Sequence, residues 1–381
     1  MNTSTKAPLV PVLQRRVRAL TYLGGATAAT VLFALLSQWQ RGASETPDFK
    51  PVKMFPALEA RANDVAGIQI ESKTSTFNVV RTADGKWILP DKGKYGADFN
   101  EIRKTITGLA DLDLVEQRTA RADWAEKLGL GAPTASHEGQ GTVVTLKDAK
   151  GDVLASIVVG NAVEGASAGG KQAIYVRRPQ ESQTYVARGG FEAATDQTQW
   201  LDKSFIDFPS DRIKTVSMKP LKGPTYSVAR ATPSTQNFAV VERLPSGRSL
   251  RTEAEPNGVG NALIGMTFTD VVPQSQVDFS KSARATFQTF DGMALNVMIA
   301  EKDNDFWVSF DAVEVPPTEV APASSPSGLK PNIAKEVEEL NAMSKGWAYK
   351  VPRYKGTLLT SPLEALLNVV GSKVPTGPGG R

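Results

Sequence analysis

The run from Gly165 to Lys171, "GASAGGK", has the spacing of a phosphate-binding loop, in which backbone amides cradle the phosphates and the lysine approaches them. Its surroundings oppose that chemistry. Gln172 stands where a Ser or Thr would reach Mg²⁺, and the following "AIYVRR" predicts a strand where a helix N-terminus is required. A hairpin loop accounts for the segment. His137, the only histidine, lies in "APTASHEGQGT" beside Ser136 and Glu138. Adjacent side chains diverge, so these three cannot form a nucleophile, base and orienting acid, and an exposed loop histidine is the reading. Hydrolysis by carboxylates alone needs two acids facing one cleft, whereas the acids of "ADGK", "KDAKGD" and "FDGM" fall in turns. Two aromatic and basic groupings are candidate partner contacts. Arg177 and Arg178 lie near Tyr175 and Tyr185, and Trp347, Tyr349 and Tyr354 alternate with Lys350, Arg353 and Lys355. The first grouping also reads as a solvated strand face with cross-strand contacts, the second as a strand returning to the core.

The 381 residues include no cysteine, which excludes disulfides, thiol nucleophiles and cysteine-ligated metal sites; one histidine excludes a multi-histidine metal centre. We therefore expect no cofactor, no bound metal and no enzymatic activity. Lys and Arg number 44 against 40 Asp and Glu, too small an excess to imply a nucleic-acid partner.

The elements that would have to position any site begin with an apolar one. Residues 20–36, "LTYLGGATAATVLFALL", carry no charge, and extension to residues 19–39 makes a helix long enough to cross a bilayer. Leu20, Leu23, Val31, Leu32, Phe33, Leu35 and Leu36 would face lipid, with Tyr22 and Trp39 at the interfaces. Gly24, Gly25 and Ala28 form a small face suited to another helix. Lys6, Arg15, Arg16 and Arg18 precede the segment without an acid, which places the amino terminus in the cytoplasm and the bulk of the chain in a bacterial periplasm. A cleaved signal peptide fits less well, since the apolar run is long and "LSQWQRGASE" lacks a small-residue cleavage site.

Past a spacer at 40–63, alternation predicts strands in "VAGIQIES" and "STFNVVRTADGKWIL", with Ile68, Ile70, Phe77, Val79, Trp87 and Leu89 inward. Phe99, Ile102, Ile106, Leu109, Leu112 and Leu114 then recur at helical spacing behind Asp98, a candidate N-cap. Hairpins follow, turning at "DAKGD" and "RPQESQ". The same order returns: "RIKTVSMK" and "TYSVAR" resemble "GIQIES" and "TFNVVR", and "GMTFTDVVPQ" at 265–274 resembles "GLADLDLVEQ" at 108–117. The expected fold is thus α+β, a duplicated strand-strand-helix-strand-strand unit in mostly antiparallel sheet, preceded by one transmembrane helix. Its divisions are a cytoplasmic tail at 1–18, the anchor at 19–39, the spacer, a first unit at 64–205 and a second at 206–314. A Pro-rich linker at 315–331, a segment at 332–371 packing on the units and a disordered tail at 372–381 complete the chain. Within 332–371, Ile333, Val337, Leu340 and Met343 mark a helix, "GWAYKVPRYKGTLLTSPLEALLNVV" reads as extended, and Ser361 with Pro362 opens a final helix.

"EKLGLGAP", "GTVVTLKDAKGDVLASIVVGN", "YVRRPQESQTYVA" and "WLDKSFIDFPSDRIKTVSM", with "GWAYKVPRYK" further on, resemble successive landmarks of a bacterial domain-of-unknown-function family, number 4340. The likeness spans about residues 64 to 370. It implies one membrane helix, an extracytoplasmic repeat-built domain and, from the gliding-motility-type ABC transporters encoded beside many members, an accessory or scaffold role in a transport complex. The partners so implied are the inner membrane and an ABC-type permease; the family carries no catalytic residues over to this chain. The alternative is a module that binds an envelope lipid, glycan or peptide in a cleft between the two units.

Overall fold

The computed structural model describes residues 49–131, 140–168, 171–317 and 332–368. The transmembrane segment at 19–39, with the lipid-facing residues and the Gly24, Gly25 and Ala28 face, lies outside them, as do His137, most of the 315–331 linker and the tail from 369. Among the described residues no helix is long and apolar enough to cross a membrane.

Period-two alternation produces a first antiparallel sheet. Its strands are β1 (Val52–Lys53), β2 (Val65–Glu71), β3 (Thr76–Arg81), β4 (Trp87–Leu89), β5 (Tyr95–Gly96), β6 (Asp113–Gln117), β7 (Thr142–Asp148), β8 (Val153–Ala168), β9 (Lys171–Arg177) and β10 (Thr184–Arg188). They lie in the order 1-6-10-9-8-7-2-3-4-5. Three helices belong to this half: α1 (Leu58–Arg61), α2 (Phe99–Ala110) and α3 (Ala122–Lys127). Asp98 caps α2 as expected, its carboxylate accepting from Asn100 N–H at 2.8 Å, and Ile102, Ile106 and Leu109 face the core. Gly85, at φ +84°, makes the turn between β3 and β4 that a side chain would strain.

The second sheet comprises β11 (Ile213–Lys219), β12 (Tyr226–Ala229), β13 (Ala239–Val240), β14 (Asp270–Pro273), β15 (Ala283–Thr289), β16 (Met293–Lys302), β17 (Asp305–Glu314) and β18 (Trp347–Val351), in the order 13-12-11-15-16-17-18-14. Helices α4 (Pro256–Gly260), α5 (Ile333–Ser344) and α6 (Arg353–Thr360) accompany it. Read from β4 to β6, the first sheet runs 4-3-2-7-8-9-10-6, the same path that the second follows from β13 to β14. In both halves a helix precedes the last strand of that path, α2 before β6 and α4 before β14, and Asp113 and Asp270 each begin their strand. The protein is accordingly α+β with antiparallel sheets and few helices, and one buried apolar cluster runs through both halves.

Several expectations are revised. The folded part starts before Asp64: within the expected spacer, Met54 and Leu58 are buried, because β1 pairs with β6 and draws the chain onto the core. Residues 347–351 do not pack on the second unit from outside; as β18 they fill the place between β17 and β14. The stretch after Pro352 is helical, not extended. Its Gly356 abuts the Phe306 ring, so a tertiary contact requires the glycine, which with two threonines disfavours a helix locally. Ser361 ends α6, its hydroxyl donating to Thr357 O at 2.8 Å, and the expected final helix is a single short turn at Leu363–Leu366.

Helix α5 docks on the half of β17 beyond the reach of β18. Asn341 accepts from Ala312 N–H and donates to Ala312 O, both at 2.8 Å, imitating a neighbouring strand. Arg212 forms a fork to Glu336 at 2.7 and 2.6 Å and a further bond to Asp291 at 2.8 Å, fastening the same helix.

Candidate interaction surfaces

Three of the landmark segments meet in one place. The turn after α3, "EKLGL", lies against the end of "VVGN" in β8 and against "YVRR" in β9. Leu128 O accepts from Asn161 N–H at 2.9 Å, Lys127 O from the Asn161 amide at 3.4 Å, and Leu130 O from Arg177 Nε at 2.9 Å. Gly160 permits this approach, since a Cβ there would strike Leu128 O and stand 2.9 Å from Leu130 Cδ2. Beneath the turn a small satellite core forms from Ala125, Leu130, Val143 and Val158. Asn161, Arg177 and Arg178 bond backbone carbonyls, so what these segments build is a structural clamp.

Arg177 and Arg178, expected as partner contacts, belong to this clamp. Arg177 also donates to Arg178 O and Pro179 O, and its burial holds the guanidinium below the ordinary arginine value. Arg178 bonds Met54 O at 3.0 Å and pairs with Glu181 at 3.3 Å. Both arginines therefore fasten turns and the incoming chain. Residues 165–168 of "GASAGGK" end β8, which pairs antiparallel with β9, and β9 stands where a phosphate loop would need a helix; residues 169–170 lie outside the described residues.

The second grouping splits. Tyr349 is fully buried with its hydroxyl bonded to Met343 O at 2.8 Å, so it serves the core and offers nothing to a docking partner. Trp347 is partly covered, and Tyr354, on α6, remains 60% exposed. Tyr349 and Trp347 join Tyr95, Phe205, Phe268 and Phe310 in an aromatic seam, with Tyr95 to Trp347 at 5.0 Å and Phe205 to Tyr349 at 4.8 Å. "WLDKSF" feeds this seam: Trp200 is buried with its indole bonded to Ala194 O, Asp202 O accepts from Tyr95 OH, and Phe205 enters the ring cluster. Lys92 and Asp270, 2.6 Å apart, tie the two halves at its margin. Burial pushes Tyr95 up to about 12 and raises Tyr349 as well. Aromatic side chains thus pack against one another where the two halves meet.

Open grooves lie in the first half. One, of about 500 Å³, runs beside α2 over Trp87, Phe99, Ile102 and Ile106, rimmed by Arg81 and Arg103. Phe99, expected on the buried stripe, is 64% exposed at its lip. A second groove of about 1100 Å³ shares Asn63, Arg81 and Gly85 with it and continues past Arg61, Lys147 and Lys150. The spacing of Phe99, Arg103 and Ile106 puts them on one helix face, and that is the one sign of the groove in the sequence. Nothing in the sequence marks Lys355, buried in α6, whose ammonium donates to Ala262 O and Ile264 O and whose burial lowers its pKa. Among the described residues no group of three or more His, Asp or Glu is arranged to hold a metal ion.

One family profile, described as a domain of unknown function (DUF4340), matches residues 87–286, just over half of the chain and narrower than the resemblance read from the landmarks. No curated protein and no solved structure matches it.

Proposed function

This chain belongs to the DUF4340 family, and from that premise we propose that it is a single-pass inner-membrane protein whose periplasmic domain acts as a non-catalytic accessory or scaffold subunit of an ABC-type transport complex. The observation that carries the reading is the uncharged segment at 20–36, preceded by four basic residues and no acid. The backbone contacts of Asn161, Arg177 and Arg178 support a scaffold, because these landmark side chains fasten turns of the fold. A duplicated unit belongs to the same reading and is supported by the shared strand path of the two sheets. The alternative, a ligand module in the cleft between the units, loses support from the aromatic seam that fills that place.

Crosslinking in intact cells, followed by mild-detergent purification of the full-length protein and mass spectrometry, tests the proposal. Recovery of an ABC permease and ATPase, lost when residues 19–39 are exchanged for an unrelated anchor, is expected. Repeated recovery of the protein alone would sink it. A carboxy-terminal reporter active only outside the cytoplasm tests the orientation.

A further inference from the structure

The groove beside α2 has an unusual division of character. Its floor is apolar, built by Ile102, Ile106 and the partly covered Trp87, and its lip carries the exposed Phe99. The charged groups that line it, Arg81 and Arg103, are both cations. Arg81 reaches only Asn63 O, at 3.5 Å, and Arg103 has no ion-pair partner among the described residues. Along the adjoining groove the acids Asp64 and Asp148 are already paired with Arg61, at 3.1 and 3.5 Å. Two unspent guanidinium forks thus stand above an apolar trough on the protein surface.

Guanidinium groups of this kind bind carboxylates through paired N–H donors, and the apolar floor strengthens such a bond by excluding water from one side of it. The trough has room for a few large side chains. It is partly open to solvent, which suits a polypeptide that inserts side-chain anchors and keeps its backbone outside. A lipid chain gains most of its free energy from complete removal from water and would forgo much of it here.

We propose that this groove is a docking site for a short segment of a partner polypeptide in which apolar anchors are flanked by Asp or Glu. The inference goes beyond the accessory reading, since it requires no transporter, and its test uses purified components so that the two can fail separately. Purified full-length protein in mild detergent is panned against a random-peptide phage library, and the enriched peptides are titrated while tryptophan fluorescence is followed. Enriched peptides should combine Leu, Ile or Phe with acidic neighbours. The Arg81→Glu, Arg103→Glu double variant should weaken them at least about tenfold and enrich basic peptides instead. Trp87→Phe should remove the fluorescence change while binding persists. Both arginines are exposed, so thermal melting should be unchanged; Arg103→Gln, expected to weaken binding in the same direction, serves should the double variant unfold. Failure to enrich acidic peptides, or peptides indifferent to the arginine variants, would overturn the proposal. So would phosphatidylglycerol vesicles that reproduce the Trp87 response and displace the peptides, which would make the groove a lipid site.

Discussion

Replacing Gly160 by alanine tests whether the clamp between "EKLGL" and "VVGN" stabilises the first half. The added Cβ would strike the carbonyl of Leu128 and lie 2.9 Å from Leu130 Cδ2, and neither neighbour is the free end of a flexible chain. Overpacking of such a site costs about 1–3 kcal/mol. Leu128 O also accepts the Asn161 N–H at 2.9 Å, and displacing that carbonyl forfeits about 0.5–1.5 kcal/mol more. Restricting the unfolded chain returns about 0.4–1 kcal/mol, so the net destabilisation is about 2 kcal/mol, within bounds of about 0.5–4 kcal/mol. For a fold of this size that amounts to roughly 3 °C in melting temperature. Circular dichroism melts of the full-length protein in detergent measure it. Gly190→Ala is the control, because a Cβ there meets nothing within 4 Å. Equal melting of the two variants would show that the close approach at Gly160 contributes nothing to stability.

Alkaline pH should weaken the fold. Burial pushes Tyr95 up to about 12 and raises Tyr226 and Tyr349, so the native state holds phenolic protons that the unfolded chain releases near 10. Their contribution is complete below about pH 10 and falls as pH rises toward 12, by at most about 1.4 kcal/mol per pH unit for each tyrosine; the buried Lys355 acts in the opposite sense, one group against three. A urea midpoint constant from pH 9 to 11.5 would refute this, the pH values being set at about the unperturbed phenol range. Arg212→Ala should cost about 3–5 kcal/mol in denaturant unfolding, because Asp291, only 3% exposed, loses its counter-charge. A cost below about 1 kcal/mol would contradict the buried pair. Asn341→Ala should leave the amide and carbonyl of Ala312 unpaired and cost about 1–3 kcal/mol for each group. Hydrogen exchange and proteolysis at 332–344 should accelerate while β15 and β16 keep their protection, and unchanged exchange in α5 would refute the docking role.

The elements legible in the sequence are those whose pattern is local. Alternation in "GIQIES" and "TFNVVR", the helical spacing behind Asp98 and the turn at "DAKGD" each involve neighbours within a few residues, and the structure places a strand, a capped helix and a hairpin there. The misread places are those settled by a distant partner. Residue 356 has to be glycine because the Phe306 ring occupies the space of a side chain, and Met54 is buried because β1 finds β6 some sixty residues on. The arginines and aromatics expected at a partner surface were separated on the same ground. Residue type alone does not say whether Arg177 meets water or the carbonyl of Leu130, whereas a sheet that brings both chains together decides it.

By itself the sequence determined the α+β class, the strands and the capped helix of the first half whose patterns are local, the family, and the chemistry that cysteine-free composition excludes, since all of these follow from residue identity and short-range periodicity. Tertiary structure alone decided that three of the landmark segments form a clamp, that an aromatic seam lies at the junction of the two sheets, and that Arg81 and Arg103 overlook an open apolar groove. Each of these depends on segments far apart in the chain meeting at atomic distance, and no local pattern encodes such a meeting.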